Sequence, residues 1–176
     1  ADAVFILGDL FKVWVGDDAA QKHVFLKQCT AVLKDCASKR HVAFMRGNRD
    51  FLVGLDFLNA CQVQDLQDPM VLRFANQNWI LSHGDEACLD DVDYQAFRRM
   101  VRQADWQQNF LAKPLSEREA IALHLRTQSQ QHKSDPNSVY ADVDLGWALA
   151  ALKKTDCTCL LHGHTHQAAD HVLAGE

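Results

Sequence analysis

Val42-Ala43-Phe44-Met45, followed by Arg46 and the polar run Gly47-Asn48-Arg49-Asp50, is a short apolar stretch that ends abruptly in hydrogen-bonding and metal-ligating groups. A stretch of this kind reads as a buried strand that delivers a functional loop to the rim of a sheet. The same grammar occurs three more times. Val4 to Leu7 precedes Gly8-Asp9, Trp79 to Leu81 precedes His83-Gly84-Asp85, and Cys157 to Leu161 precedes His162-Gly163-His164-Thr165-His166. Four such endings predict loops gathered at one edge of a sheet. Asp, Asn and His together suit a divalent ion that takes mixed nitrogen and oxygen donors, such as manganese, iron or zinc, better than a thiolate site does.

The segments between the clusters fix the fold class. Residues 19–37 repeat apolar side chains at helical spacing, with Phe25, Leu26, Cys29, Val32, Leu33 and Cys36 on one face, and Phe51 to Ala60 reads as another short helix. The resulting βαβα rhythm predicts an α/β fold. Pro69 to Phe74 and Trp79 to Ser82 read as a hairpin around Ala75-Asn76-Gln77-Asn78, which makes the sheet mixed. Residues 91–134 are mostly helical and form an insertion within a single domain spanning 1–176. Pro114 interrupts that insertion, and Ser116 with Glu119 reads as a capping box for its last helix. Its apolar residues, among them Tyr94, Phe97, Val101, Trp106, Phe110 and Leu115, either pack on the sheet or line a groove for an apolar substrate tail.

Composition narrows the function. With 176 residues and 48% hydrophobic content the chain can bury one substantial core. It has no run near the roughly 20 apolar residues of a membrane helix and no basic-then-apolar leader at its start, so a cytoplasmic location is expected. A formal net charge of −5 speaks against general nucleic-acid binding. Residues 98–133 nevertheless carry seven basic residues against three acidic ones, either as a solvated helix surface or as an attraction for phosphates or an anionic membrane surface. The six cysteines lack zinc-finger or secreted-domain spacing and read as reduced thiols. Cys157 and Cys159, two apart in a strand, read as core rather than as a soft metal pair.

Two neighbouring metal ions can bind a phosphate, generate hydroxide at neutral pH and stabilise an in-line displacement. Such a centre needs a bridging carboxylate, and Asp9 suits it, with Gly8 before it to let the backbone turn. Asn48 offers an amide oxygen; His83, His164 and His166 offer ring nitrogens. His162 supports its loop, and His23, His41, His124, His132 and His171 have no motif context and read as surface residues.

Gly-Asp, Gly-Asn-Arg-Asp, His-Gly-Asp and Gly-His-Thr-His, in that order, resemble the calcineurin-like metallophosphoesterases over almost the whole chain. Arg49, where most members have histidine, resembles one branch, the UDP-2,3-diacylglucosamine pyrophosphatases of bacterial lipid A synthesis. Further marks agree: Ile6-Leu7-Gly8-Asp9-Leu10-Phe11, Trp14, Gly16-Asp17-Asp18, Asp50-Phe51-Leu52, and Asp90-Asp91 with Tyr94-Gln95-Ala96-Phe97-Arg98. The resemblance implies a four-layer αββα sandwich of two mixed sheets with a helical cap, at 91–134, that holds acyl chains. It implies manganese-dependent hydrolysis in which a metal-activated hydroxide attacks the α-phosphorus of UDP-2,3-diacylglucosamine, releasing UMP and 2,3-diacylglucosamine 1-phosphate. The protein would then work as a peripheral protein on the cytoplasmic face of the inner membrane, with no obligate protein partner. Carried over residue by residue, Asn48, Arg49 and His83 are implied as catalytic, with Asp9, Asn48, His83, His164 and His166 on metal. Asn48, Arg49, Asp91, Tyr94, Arg126, Ser129, Lys133 and His164 are implied on substrate. Arg49, a fixed guanidinium, would stabilise phosphate charge rather than move a proton.

The family pattern begins with Asp-x-His, which this sequence does not contain, so the chain reads as an internal piece truncated at both ends. One ion's set, Asp9, Asn48, His83 and His164, is present; its neighbour keeps only Asp9 and His166. One bound ion, with a poorly populated pair, is the expectation. The competing readings are a metallophosphoesterase acting on nucleotides or simple phosphodiesters, and a catalytically weak metal-binding scaffold.

Overall fold

A computed structural model of the chain describes residues 1–134 and 141–173, with 128–134 described by their backbone alone. The elements run β1 (Ala3–Leu7), α1 (Asp17–Ala20), α2 (Val24–Ala37), β2 (His41–Met45), α3 (Leu55–Cys61), β3 (Gln64–Leu66), β4 (Met70–Phe74), β5 (Gln77–Ser82), a 3-10 turn at Asp85–Ala87, α4 (Val92–Val101), α5 (Ala104–Leu111), α6 (Leu115–Ser134), α7 (Leu145–Thr155) and β6 (Cys159–His162). Two sheets result, in the orders β1-β2-β3 and β4-β5-β6. The strands of the first run parallel, with Leu7 opposite Met45. That register is what brings Gly8-Asp9 and Gly47–Asp50 out at the same edge. In the second sheet β4 pairs antiparallel and β6 parallel with β5, and Ser82 stands opposite His162, so the two histidine clusters also leave side by side.

Strand alternation sorts the core into two layers. Val4, Ile6, Val42 and Phe44 point to the helix side, against Phe11, Trp14, Phe57 and Leu58 and the stripe Leu26, Cys29, Leu33 and Cys36 of α2. Phe5, Leu7, Ala43 and Met45 point the other way, into Met70, Leu72, Trp79 and Leu81 of the second sheet. With α7 beside β6, the layering is helix, sheet, sheet, helix, as expected of the α/β class. Among the described residues no helix is long and apolar enough to cross a membrane.

Local boundaries depart from the sequence reading for identifiable reasons. The helix expected over 19–37 is broken at Gln21-Lys22-His23, and Phe25 and Val32 are 67% and 68% exposed, off the packed stripe. The helix expected from Phe51 starts at Leu55, because the Asp17 carboxylate accepts the N–H groups of Gly54 and Phe57 and so fixes its first turn there. Ala75 and Asn76 both adopt left-handed φ, of 51° and 60°, so the hairpin turns in two residues and Gln77 and Asn78 join β5. Ser116 lies inside α6 rather than capping it, and Glu119 faces His23 at 3.0 Å instead of closing a capping box. Cys157 precedes β6, so the expected same-face pairing with Cys159 does not arise, although Cys157 is buried. All six cysteines are free thiols, as read; burial pushes those of Cys61 and Cys88 up to about 11.

The helical segment is fastened to the sheet side by packing and by one arginine. Trp106, Phe110, Leu115 and Ile121 join the helix-side core, which favours the packing reading for those four. Arg118 on α6 is buried; its guanidinium holds the Val15 carbonyl and grips the Asp18 carboxylate at 2.9 and 2.6 Å, while Nε donates to the Lys113 carbonyl at 3.0 Å. The hydrogen bonds from Arg118 hold the Asp18 carboxyl below its ordinary value of 3.8. A depressed carboxyl stabilises the fold above its unfolded-state value, and that share is lost as pH falls through the lower folded value. Arg118→Met is therefore expected to lower the unfolding free energy by about 2–3 kcal/mol in urea titrations near neutral pH. It should also flatten the loss of stability seen below the ordinary Asp18 value of 3.8.

Candidate active site

The loops after β1 and β2 are tied together by a single side chain. Asp50 is fully buried, and its carboxylate accepts the backbone N–H of Gly47 at 2.8 Å, Asp9 at 3.2 Å and Phe11 at 3.2 Å. Burial pushes this carboxyl above the usual carboxylate range despite those donors. The loops then interpenetrate so closely that two positions tolerate only glycine. A Cβ on Gly8, at φ 83°, would stand 2.5 Å from His83 Nδ1, and one on Gly47 would stand 2.3 Å from Asp9 Oδ1.

Around this frame the expected donors converge. Asp9, at φ 55°, accepts the Arg49 N–H at 2.8 Å and pairs with the Arg49 guanidinium at 3.3 Å. His83 Nε2 lies 3.8 Å from Asp9 Oδ1 and 3.1 Å from Asn48 Oδ1, and His164 Nδ1 lies 3.0 Å from that same amide oxygen. His83 is buried, and its Nδ1 donates to the Leu7 carbonyl at 2.8 Å. In the neutral ring this leaves Nε2 as the lone-pair nitrogen. Two acceptors, Nε2 and Asn48 Oδ1, thus face each other 3.1 Å apart. That arrangement is repulsive between the groups themselves and is relieved by a cation. An imidazole whose far nitrogen is fixed on a backbone carbonyl is also the usual form of a metal ligand. The donor set of Asp9, Asn48, His83 and His164 therefore fits a divalent ion, with the amide at its hub. Among the described residues no three His, Cys, Asp or Glu side chains form a ready-made cage. His166 is exposed, also at positive φ.

Carboxylates also support the donors, one buried and two half-buried. Asp85 is fully buried and takes the Tyr94 hydroxyl at 2.5 Å and Arg98 Nε at 3.0 Å. Burial alone would raise its pKa, but the Arg98 charge and the Tyr94 bond outweigh it and hold Asp85 below the usual range. Burial and Asp85 in turn keep the Tyr94 phenol protonated, and its ring stacks on His164 with centroids 5.7 Å apart. Asp68 accepts the Ser82 hydroxyl and the His83 N–H, anchoring the His83 backbone. Asp91 caps α4 by accepting the Tyr94 N–H at 3.0 Å. Arg126 is exposed and lines an apolar cavity of about 660 Å³ with Leu10, Phe11, Trp14, Phe25, Leu26 and Leu123; His23 and Glu119 also border it. The side chains of Ser129 and Lys133 lie outside the described residues.

A model of the calcineurin-like phosphoesterase family matches residues 1–168. UDP-2,3-diacylglucosamine hydrolase of Chromobacterium violaceum is 43% identical over 97% of this chain and 71% of its own length. The proteins of that name from Aromatoleum aromaticum and Haemophilus ducreyi are each 40% identical over 97% of this chain, and over 69% and 73% of their own lengths. The chain belongs to the calcineurin-like phosphoesterases, on the UDP-2,3-diacylglucosamine hydrolase branch.

The phosphoesterase motifs pointed to the donors but not to what holds them. Asp50, Asp85, Asp17 and Arg98 were visible only as letters of Gly-Asn-Arg-Asp and Asp50-Phe51-Leu52, of His-Gly-Asp, of Gly16-Asp17-Asp18 and of the run ending in Phe97-Arg98, with no sign of what each holds; Arg102 and Arg118 carried no signal beyond their charge. Placing an acidic residue one or two positions after a ligand, in a loop that must be buried, is the clue that would have found the first two. Asp50→Asn turns one acceptor into a donor facing a backbone N–H. It is expected to cost about 2 kcal/mol in urea unfolding and to lower phosphoesterase turnover about tenfold or more, measured on the folded variant.

Proposed function

We propose that this chain hydrolyses the diphosphate of UDP-2,3-diacylglucosamine to UMP and 2,3-diacylglucosamine 1-phosphate, a step in lipid A biosynthesis. The observation that carries this reading is the convergence of Asp9, Asn48, His83 and His164 with Arg49 against Asp9. It occurs on a chain that is 43%, 40% and 40% identical to three proteins named for that reaction. The apolar cavity beside Leu10 and Phe11, directly after Asp9 in the chain, supports a substrate with acyl chains.

Asp9, Asn48, His83 and His164 would hold one manganese ion, and Asp9 with His166 would contribute to a second. When bound, such ions supply a nucleophile from water at neutral pH and neutralise charge on the phosphate. The remaining chemistry belongs to the chain. Arg49, 37% exposed and permanently charged, is free on its outer side to take phosphate oxygens as charge develops. Its pairing with Asp9 keeps the guanidinium over the reacting centre. Tyr94 and Asp91 border the same rim and Arg126 the cavity, where they would orient sugar and diphosphate; the substrate roles of Ser129 and Lys133 rest on the resemblance alone. Residues 91–134 act as the cap.

The exposed apolar side chains Leu10, Val13, Phe25 and Leu123 near the cavity, with Lys12 and Arg126 among them, support docking on an anionic membrane surface. The proposed site of action is the cytoplasmic face of the inner membrane.

With manganese and UDP-2,3-diacylglucosamine the protein is expected to release UMP, and His83→Ala to abolish release while near-UV circular dichroism is retained. Full activity in that variant would remove the site assignment. Equal cleavage of acyl-free UDP-N-acetylglucosamine would favour the nucleotide or phosphodiester reading. The donors present complete one ion's set, so metal counting by native mass spectrometry is expected to find one tightly held manganese per chain; two would overturn that expectation.

A further inference from the structure

We propose that Arg102 is a positioning residue for this reaction: by holding the Gly47 carbonyl it sets the tilt of the Gly47–Asn48 peptide, and so the readiness of Asn48 and His83 to take a cation. The inference rests on the phosphoesterase reading of the site.

A peptide unit is planar, so its carbonyl and N–H move as one body. Arg102 Nη2 donates to the Gly47 oxygen at 3.0 Å, and at the other end of the same unit the Asn48 N–H points at His83 Nε2, 3.3 Å away. The lone pair that a cation would use on His83 is thus shared with this N–H. How far the N–H leans toward Nε2 decides how available that lone pair is. Arg102 controls the lean from the opposite end.

The guanidinium is itself fixed on three sides. It lies over the Phe51 ring at 5.6 Å from the centroid, stands 3.7 Å from the buried Asp85 carboxylate, and springs from the C-terminal cap of α4. Gly47 and Phe51 bracket Asn48, Arg49 and Asp50, so one side chain touches both ends of the loop that carries the amide ligand. There is no slack for the loop to move without consequence. Even a Cβ on Gly47 would stand 2.3 Å from Asp9 Oδ1 and 2.9 Å from His83 Cε1. A displaced Gly47 peptide therefore pushes on the carboxylate or on the imidazole.

Arg98 is the natural control. It neutralises the same Asp85 at 3.0 Å and also pairs with Glu86 at 3.1 Å, and its hydrogen bonds do not include the Gly47 carbonyl. If only the charge balance at Asp85 mattered, Arg98, the nearer of the two at 3.0 Å against 3.7 Å, would matter at least as much as Arg102.

The test compares Arg102→Met, Arg102→Lys and Arg98→Met with the unmodified chain. Manganese affinity is read by electron paramagnetic resonance titration of the metal alone, kcat and KM by UMP release, and folding by circular dichroism and thermal melting. Arg102→Met is expected to weaken manganese binding and lower kcat by about 10- to 100-fold, with KM changed by less than about twofold. Arg102→Lys, which keeps a donor for the Gly47 oxygen, should recover part of both losses. Arg98→Met should weaken manganese binding less than Arg102→Met. Manganese affinity and kcat unchanged in Arg102→Met, with or without a lower melting temperature, would make Arg102 a mere brace and overturn the proposal. So would equal losses in Arg98→Met and Arg102→Met, or an Arg102→Lys no better than Arg102→Met. If Arg102→Met does not fold, the donorless Arg102→Ala decides, and manganese affinity equal to that of the unmodified chain overturns the proposal. Absence of UMP release by the unmodified chain would strike the substrate assignment alone, because the manganese titrations still separate the variants.

Discussion

The Asp50 carboxylate, buried and shared among the N–H groups of Gly47, Asp9 and Phe11, is the constraint on which the rest of the site depends. Those donors come from two loops separated by about forty residues of chain, and each loop leaves a parallel strand whose register already sets them side by side. The carboxylate converts adjacency into a fixed geometry. With the loops locked, Gly8 and Gly47 must do without side chains, and Asp9, Asn48 and Arg49 have one arrangement available. Burying a carboxylate is costly, as its raised pKa records. It is tolerated because three backbone donors would otherwise be buried without partners, which is worse.

The architecture was legible because it rests on local periodicity. Val4 to Leu7 and Val42 to Met45 are unbroken apolar runs, and such runs dictate a sheet covered on both faces, with Val4, Ile6, Val42 and Phe44 to one side and Phe5, Leu7, Ala43 and Met45 to the other. Where the reading slipped, a distant residue intervened. Apolar spacing alone would begin the third helix at Phe51, but Asp17, some forty positions away, collects the N–H groups of Gly54 and Phe57 and moves the start to Leu55. The second helix seemed continuous because nothing in its letters marks His23 as a corner. Phe25 and Val32 are apolar without being core, and their exposure is visible only once Leu26, Cys29 and Leu33 are seen to take the packed stripe.

The site divides along the same line. Asp9, Asn48, His83 and His164 were legible because metal-ligating residue types at strand ends are unusual in themselves. Their supports were not, because a buried Asp, an Arg on a helix or a Tyr is an ordinary letter until its partner is known. Arg118 meets Val15 across roughly a hundred residues, and Arg102 meets Gly47 across more than fifty. No window of sequence holds both members of either pair. Tyr94 carries a motif letter and a support together: its hydroxyl is engaged by Asp85 and its ring stacks on His164, and neither partner is visible from the motif.

Asp50 and Asp85, both fully buried, are shifted in opposite directions, and the difference is informative about how the site is built. Asp50 is surrounded by neutral N–H groups with Asp9 nearby, and its carboxyl rises; Asp85 is surrounded by Arg98, Arg102 and Tyr94, and its carboxyl falls. Charge at Asp85 is therefore compensated by arginines, whereas Asp50 and Asp68, the latter on the His83 N–H, are held by neutral donors and rise. Among the described residues the arginine against Asp9 is Arg49, which also has an outward face to offer. A divalent ion on Asp9, Asn48, His83 and His164 would balance the Asp9 carboxylate, and in doing so would release Arg49 from its role as counter-charge. Under the proposed function, the guanidinium that resembles the branch's substitution for histidine would then exchange a carboxylate for a phosphate, which would tie metal loading and phosphate binding to one residue.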